Sequence, residues 1–386
     1  MRILVSCTPA YGHFHPLVPF ASAAVARGHT VAFATSEDLI NRVRAAGFVA
    51  FQTGLPFHAH ERTLTSAMAE YARMPPAQGR AFIFPRVNAV RARTNVDDLL
   101  AVAQRWQPDL IVHESAEFAA PLVAAIVGIP NVNHAYGPRV PMSILEDCGH
   151  RLADLWHGFG ATCPPFGGLY RHLHIDIAPP DLQVEALTPP CPVLTIQPAG
   201  FDAVHGEEPP RWLTDLPERV TIYVTLGTRL NQPHLLRLVV ESLVELDVNV
   251  ICTTGADHGV AASLPRSERV HVDAYIPQSS VLPRCDLVVC HAGSGTMLGA
   301  LSHGLPMLLV PHSADQFDNA ELCVNNGVAL RLLPDEIDRS TVRGAVRKLL
   351  DRPYARAAAG IRDELHALST PETAVEACET LVPCQT

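Results

Sequence analysis

The chain has 386 residues, 48% hydrophobic and 18% charged, with a formal net charge of −10 at pH 7. That length favours two domains of roughly 150 to 200 residues, each able to bury its own core. The acidic balance argues against a nucleic-acid partner, which wants a basic stripe, so an anionic small ligand needs a locally built site.

The N-terminal segment offers only a short apolar run, Ile3 to Cys7, with polar and glycine residues close behind, which reads as a strand and not a secretory signal. Helix-like Leu17 to Arg27, strand-like Thr30 to Ala34 and helix-like Asp38 to Ala46 follow. Leu110 to His113 is the next strand, before a helix-like stretch from Ala116 to Val127, and Gly128-Ile129-Pro130 leads into another short strand. This is βα repetition, the pattern of a parallel sheet with helices on both faces. Between 55 and 94, and between 138 and 180, the pattern breaks into segments rich in His, Phe, Pro and Arg that are expected to be loops and irregular helices with binding roles.

Proline, glycine and acidic residues crowd between Pro198 and Pro210, as in an exposed linker. Alternation then restarts with the strand Thr221 to Leu226, a helix from Leu235 to Leu246, the strand Asn249 to Thr253 and a short strand near Val270. Pro371 to Leu381 reads as a final helix. Two doubly wound α/β domains are expected, 1–205 and 206–370, with 371–386 a C-terminal helix that packs back on the first domain.

The most informative segment is Asp286 to Glu321. The apolar run Leu287 to Cys290 meets His291, then Gly293, Ser294 and Gly295, before Thr296 opens a helix-compatible stretch. Glycines let the backbone approach a ligand, and the free N–H groups and positive dipole end of the following helix favour a phosphate. Asp315 and Gln316 follow a second apolar run, Met307 to Val310, and offer a carboxylate and an amide to sugar hydroxyls.

Ligands of open parallel sheets bind at the carboxyl ends of the strands, so every strand-to-loop junction is a candidate contact. Thr225-Leu226-Gly227-Thr228 offers the Thr228 hydroxyl and N–H to a phosphate, or is a plain glycine turn. Tyr275-Ile276-Pro277-Gln278 offers a ring for a base, with backbone groups at Ile276, or a packed core tyrosine. In the first domain Tyr11-Gly12-His13-Phe14-His15-Pro16 follows the first strand. There His13 lies near a helix N-terminus that disfavours imidazolium and keeps the ring available as a base, with His15 its internal competitor. Glu114, at the end of the strand Leu110 to His113, is placed to orient that imidazole, or to cap a helix with Ser115.

Residue usage removes other chemistries. Lys348 is the only lysine, so there is no Walker-type Gly-Lys-Ser/Thr. The ten cysteines include no Cys-x-x-Cys, and no Asp-x-Asp occurs to chelate a metal against a diphosphate. No metal and no cofactor beyond a nucleotide-sugar co-substrate is expected. Scattered cysteines and the lack of an apolar span of about 18 residues fit a cytoplasmic protein without membrane insertion.

The chain resembles the GT-B inverting glycosyltransferases, in particular the bacterial natural-product branch of the superfamily that includes plant and animal UDP-glycosyltransferases. The resemblance rests on Tyr275-Ile276-Pro277-Gln278, His291 to Thr296, Gly304-Leu305-Pro306, Asp315-Gln316 and Asn319-Ala320, and more loosely on Gly12-His13, Pro16 and Arg27-Gly28-His29. It implies two Rossmann-like domains facing each other across a cleft. It further implies His13 as general base and Glu114 in the place of its carboxylate partner. Thr228, His291 and the amides of Gly293, Ser294, Gly295 and Thr296 would hold the diphosphate, Asp315 and Gln316 the donor sugar, and Tyr275 and Ile276 the base.

Where many UDP-sugar enzymes of the superfamily place a ribose-binding glutamate, three residues after the position of Thr296, this chain has Gly299. That points to a TDP-sugar donor, or to close helix packing. The acceptor implied is an apolar natural-product aglycone such as a polyketide, enediyne or macrolide antibiotic, lined by Phe57, Phe82, Phe84, Trp156 and Phe159 unless these close the core. A homodimer and a helper protein remain open as partners. The alternatives are a GT-B sugar-nucleotide epimerase and a non-catalytic nucleotide-sugar binder that activates another enzyme.

Overall fold

A computed structural model describes residues 1–200, 210–227, 232–255 and 258–382. The backbone divides into two compact units, Met1–Phe201 with Leu368–Thr386, and Asp202–Ala367. The acidic, proline-rich stretch from 201 to 209 lies outside the described residues.

Among the described residues the first unit holds a parallel sheet of β1 (Arg2–Ser6), β2 (Thr30–Thr35), β3 (Val49–Gln52), β4 (Leu110–Glu114), β5 (Asn131–His134), β6 (Leu173–Asp176) and β7 (Val193–Thr195), in the order β3-β2-β1-β4-β5-β6-β7. The strands are short runs rich in Ile, Leu and Val, and the side chains of Ile3, Leu4, Val5, Ile111 and Val112 are wholly shielded. Continuous apolar runs suit a sheet covered on both faces, and each such side chain contributes about 1.5–3 kcal/mol by leaving water. Polar groups also sit inside this sheet. Asn131 Nδ2 donates to His113 Nε2 at 3.0 Å, and His174 Nδ1 meets Asn133 Oδ1 at 2.8 Å.

The segments expected to be irregular are more regular than their composition suggests. Residues 55–94 form helices Phe57–Thr63 and Thr65–Tyr71 and most of a 31-residue helix, Pro76–Trp106, with Pro85 inside it. Proline argues against a helix interior because it removes one hydrogen bond and crowds the preceding turn. Here the buried series Ala89, Ala92, Val96, Leu99 and Val102, spaced three or four apart, with Ala103 beside it, outweighs that cost. Residues 138–180 likewise contain helix Met142–Gly158 and β6.

The second unit repeats the plan with β8 (Thr221–Thr225), β9 (Asn249–Thr253), β10 (Val270–Asp273), β11 (Leu287–Cys290), β12 (Met307–Leu309) and β13 (Ala329–Arg331), ordered β10-β9-β8-β11-β12-β13 and all parallel. Both sheets therefore reverse direction of growth once, between β1 and β4 and between β8 and β11. In doubly wound folds the crevice at the carboxyl ends of those two strands is where ligands sit.

The C-terminal helix Pro371–Glu379 belongs to the first unit. It buries Ala374, Val375 and Cys378 and packs on helix Leu17–Ala26. At its end Arg27 reaches Glu379 through Nε (3.1 Å) and Nη2 (2.9 Å), and His29 Nε2 lies 2.8 Å from the same carboxylate. No helix among the described residues is long and apolar enough to cross a membrane.

Candidate active site

In the first unit the chain leaves β1 through Cys7-Thr8-Pro9 and makes one helical turn, Tyr11–Phe14, that carries His13. Pro16 then stands at the N-cap of helix Leu17–Ala26, where its missing N–H costs nothing. Glu114 closes β4, the neighbour of β1, and its side chain is wholly buried. Its Oε2 lies 3.1 Å from His13 Nδ1, a contact at ion-pair distance but off the line of a straight hydrogen bond.

The same carboxylate accepts the backbone N–H groups of Thr8 (Oε1) and Ala116 (Oε2), and it caps no helix, the next one having Phe118 as its N-cap. Burial alone would raise its pKa. The charge and N–H of His13 together with those backbone donors outweigh burial and hold it below the ordinary carboxylate value. The helix behind Glu114 begins at Ala119, not Ala116, because residues 115–118 form the turn that the carboxylate pins.

His13 keeps 21% of its side chain exposed while Nδ1 is sealed, leaving Nε2 as the nitrogen open to a ligand. His15 differs. It is stacked against Tyr11 at 5.3 Å, and burial, then the charge of Arg42, push its pKa down to about 3. Two further residues meet here that the motif reading passed over. Tyr136, just past β5, lies with its ring 4.3 Å from the His13 ring at 44°. Glu117, buried three residues after Glu114, accepts Ser6 Oγ at 2.6 Å, and burial raises its carboxyl. Tyr136 was findable as one more strand-end junction, whereas nothing in the sequence marks Glu117 as buried.

Of the aromatic residues expected to line an acceptor, Trp156 is in the core, with Phe84 and Phe159 packed against it. Phe57 and Phe82 instead lie under the guanidinium groups of Arg91 and Arg86. An open cavity of about 540 Å³ in the same unit is lined by Pro56, His58, Ala59, Arg62, Thr65 and Met68.

In the second unit β11 ends at Cys290, and the helix after it runs Ser294–Ser302, opening two residues before Thr296. Ala292 takes φ 64, a conformation unfavourable for a residue with a β-carbon, and Gly293 is the N-cap with no side-chain cap. The first N–H groups of this helix, from Ser294 to Thr296, have no intrahelical partner by position and stand free to meet an anion. The glycines are demanded by His291. A β-carbon at Gly293 would stand 2.5 Å from His291 Nε2, and one at Gly227, which also has φ 88, would stand 2.8 Å from it. Burial, then His312, lowers the His291 pKa to about 4, so the ring is neutral at pH 7.

Asn319 holds the turn together. Its Nδ2 donates to the Ala292 carbonyl at 2.9 Å and lies 3.1 Å from both Ser294 Oγ and Asp315 Oδ2, while Ser294 Oγ donates to Asp315 Oδ2 at 2.9 Å. Asp315 is thus tied to the glycine turn by its own side chain. Gln316 is engaged inward: its Oε1 accepts the N–H groups of His312 and Ser313. Thr296 Oγ1 accepts Gln278 Nε2 at 2.9 Å, Ile276 is buried, and Tyr275 is 38% exposed. Thr228, expected at the diphosphate, lies outside the described residues. A β-carbon at Gly299 would meet Leu282 Cδ1 at 3.1 Å, so close helix packing is also served there.

Two family models, the N-terminal and C-terminal domains of erythromycin biosynthesis protein CIII-like proteins, match residues 22–227 and 237–381. The chain belongs to that family. It is 32% identical to the L-demethylnoviosyl transferase of Streptomyces niveus, over 97% of each chain. It is 31% identical to the elloramycin glycosyltransferase of Streptomyces olivaceus, over 96% of this chain and 95% of that one. Among solved structures it matches the Streptomyces sp. SF2575 glycosyltransferase SsfS6, complexed with thymidine diphosphate, with a TM-score of 0.82 and 28% identity over 98% of this chain and 99% of the other. The chain is a bacterial natural-product glycosyltransferase of GT-B fold.

Proposed function

We propose that this enzyme transfers a sugar, typically a deoxysugar, from a TDP-sugar to a hydroxyl of an apolar natural-product aglycone, with inversion at the anomeric carbon and without a metal. The observation that carries the reading is the pairing of partly open His13 with buried Glu114 at the strand-order reversal of the first sheet. Glu114 holds Nδ1, and His13 Nε2 takes the proton of the acceptor hydroxyl. The hydroxyl oxygen bonds to the anomeric carbon as the bond from that carbon to the diphosphate oxygen breaks, on the opposite face. A positioned base of this kind is worth about 10²- to 10⁴-fold.

The leaving diphosphate takes up negative charge as the bond breaks. In this reading the N–H groups of Ser294, Gly295 and Thr296, at the positive end of their helix, stabilise that charge, with Thr228 and His291 beside them. His291, neutral at pH 7, acts as a hydrogen-bond donor there and not as a cation. Asp315, fixed to Ser294 and Asn319, faces the sugar, Gln316 holds the backbone of His312 and Ser313 beside it, and Tyr275 and Ile276 face the base. Among the described residues no three His, Cys, Asp or Glu side chains are grouped to hold a metal. The thymidine diphosphate in SsfS6 and the glycine at Gly299 support TDP over UDP. The cavity beside Pro56 and Met68 offers apolar space to the aglycone. Neither an epimerase nor a non-catalytic binder gains support from the relatives compared.

The test is a donor and acceptor screen read by mass spectrometry, with TDP-glucose and UDP-glucose in competition. Glycosylated aglycone drawn mainly from the TDP donor is expected, and a clear UDP preference contradicts the donor assignment.

A further inference from the structure

We propose that Tyr136 is a positioning residue for His13, whose ring fixes the imidazole from one face and stabilises the positive charge that forms when it takes up a proton. The inference rests on His13 acting as the base. Three adjacent strands in the order β1, β4, β5 deliver the parts: His13 from the turn after β1, Glu114 from the end of β4, and Tyr136 from the residues just past β5. The strand pairing continues to the threshold of Tyr136, because Ala135 N–H donates to the Ile175 carbonyl at 2.8 Å, so the ring is carried on a rigid edge.

Glu114 meets His13 at one nitrogen and off the line of a straight hydrogen bond, which leaves the imidazole free to rock about that contact. The Tyr136 ring, with centroids 4.3 Å apart and planes at 44°, closes that freedom and leaves no room for water between the rings. An aromatic face attracts a neighbouring cation, and the attraction grows as water is excluded. Neutral His13 gains little from this contact, whereas imidazolium gains more. The contact therefore favours the protonated state that follows proton transfer.

Titratable groups near His13 among the described residues include Glu114 in contact with it, Glu117 behind Glu114, and Tyr11 and His15 on the same turn, with Arg42 facing His15. Tyr136→Phe keeps the ring and removes the hydroxyl, so its comparison with Leu and Met separates what the ring does from what the hydroxyl does.

The experiment compares the pH profile of kcat/KM for the wild type, Tyr136→Leu, Tyr136→Met and Tyr136→Phe, alongside TDP binding by calorimetry. Leu and Met are expected to move the acidic limb to lower pH by about 0.5 to 1 pH unit and to lower the plateau about 3- to 30-fold, with TDP affinity unchanged. Phe is expected to restore both limb and plateau, because the ring acts and the hydroxyl does not. A plateau that falls with the limb unmoved, or a limb unmoved in both Leu and Met, overturns the proposal. Those results leave the base assignment standing, since it falls only if His13→Ala still transfers.

Discussion

Oε2 of Glu114 and Nδ1 of His13 stand 3.1 Å apart where the strand order of the first sheet reverses, and the same oxygen pins the turn at Ala116. One buried carboxylate therefore sets both the backbone and the imidazole. Glu114→Gln keeps size and burial but presents a neutral amide to Nδ1. Loss of kcat by about 10²- to 10⁴-fold is expected, with KM for the donor nearly unchanged. Steady-state kinetics on a variant with wild-type circular dichroism check it.

Gly293, like Gly227, leaves no space for a side chain, because His291 fills it. Gly293→Ala keeps an allowed backbone conformation, φ being −65, but its methyl must displace a buried ring. TDP binding is expected to weaken at least about tenfold, roughly one helix-terminus hydrogen bond to an anion. Isothermal calorimetry with TDP alone reads this without any acceptor.

Burial lowers the pKa of His113 and His134 to about 4, and burial with the nearby Arg139 lowers His174 to about 3. All three are neutral in the folded enzyme at pH 7. An unfolded histidine titrates near 6.5, so between about 6.5 and 4 the unfolded state holds more protons than the folded one. The stability of the first unit is therefore complete above pH 6.5 and is lost as the pH falls. Urea midpoints at pH 7.5, 6.0 and 5.0 should fall in that order; a flat profile contradicts the burial of these rings.

The C-terminal helix is held by packing more than by charge. Val375 is wholly buried, and Val375→Ala is expected to destabilise the protein by about 1.5–3 kcal/mol. The pairs of Arg27 with Glu376 and Glu379 are partly exposed, so Arg27→Ala should have a smaller effect that vanishes in high salt. Thermal melts at low and high ionic strength separate the two.

Chelation tests the absence of a metal from the chemistry. Overnight dialysis against EDTA should leave kcat unchanged, since the diphosphate is assigned to helix N–H groups and side chains. Activity lost on dialysis and restored by magnesium contradicts it.

The sheets were legible because parallel strands covered on both faces are apolar runs, and Leu287 to Cys290 or Leu110 to His113 stand out in any reading. The two reversals in strand order were not, since pairing between β1 and β4 joins residues more than a hundred apart. The long helix through Pro85 was hidden because local proline chemistry argues against it and only tertiary burial of Ala92, Val96 and Leu99 decides otherwise. At the candidate site the motif residues were legible by type and spacing. What spacing could not show is that Asp315 is tied to Ser294, that Gln316 turns inward to His312 and Ser313, or that Tyr136 lies on His13. Those are contacts at the ends of helices and strands, and no periodicity encodes them.

The central claim is that His13 is the base, and His13→Ala tests it most directly, with transfer to an alcohol acceptor and TDP affinity measured on the same preparation. Transfer reduced by at least about 10²-fold with TDP affinity unchanged is the predicted result. Transfer to that alcohol at the wild-type rate would contradict it.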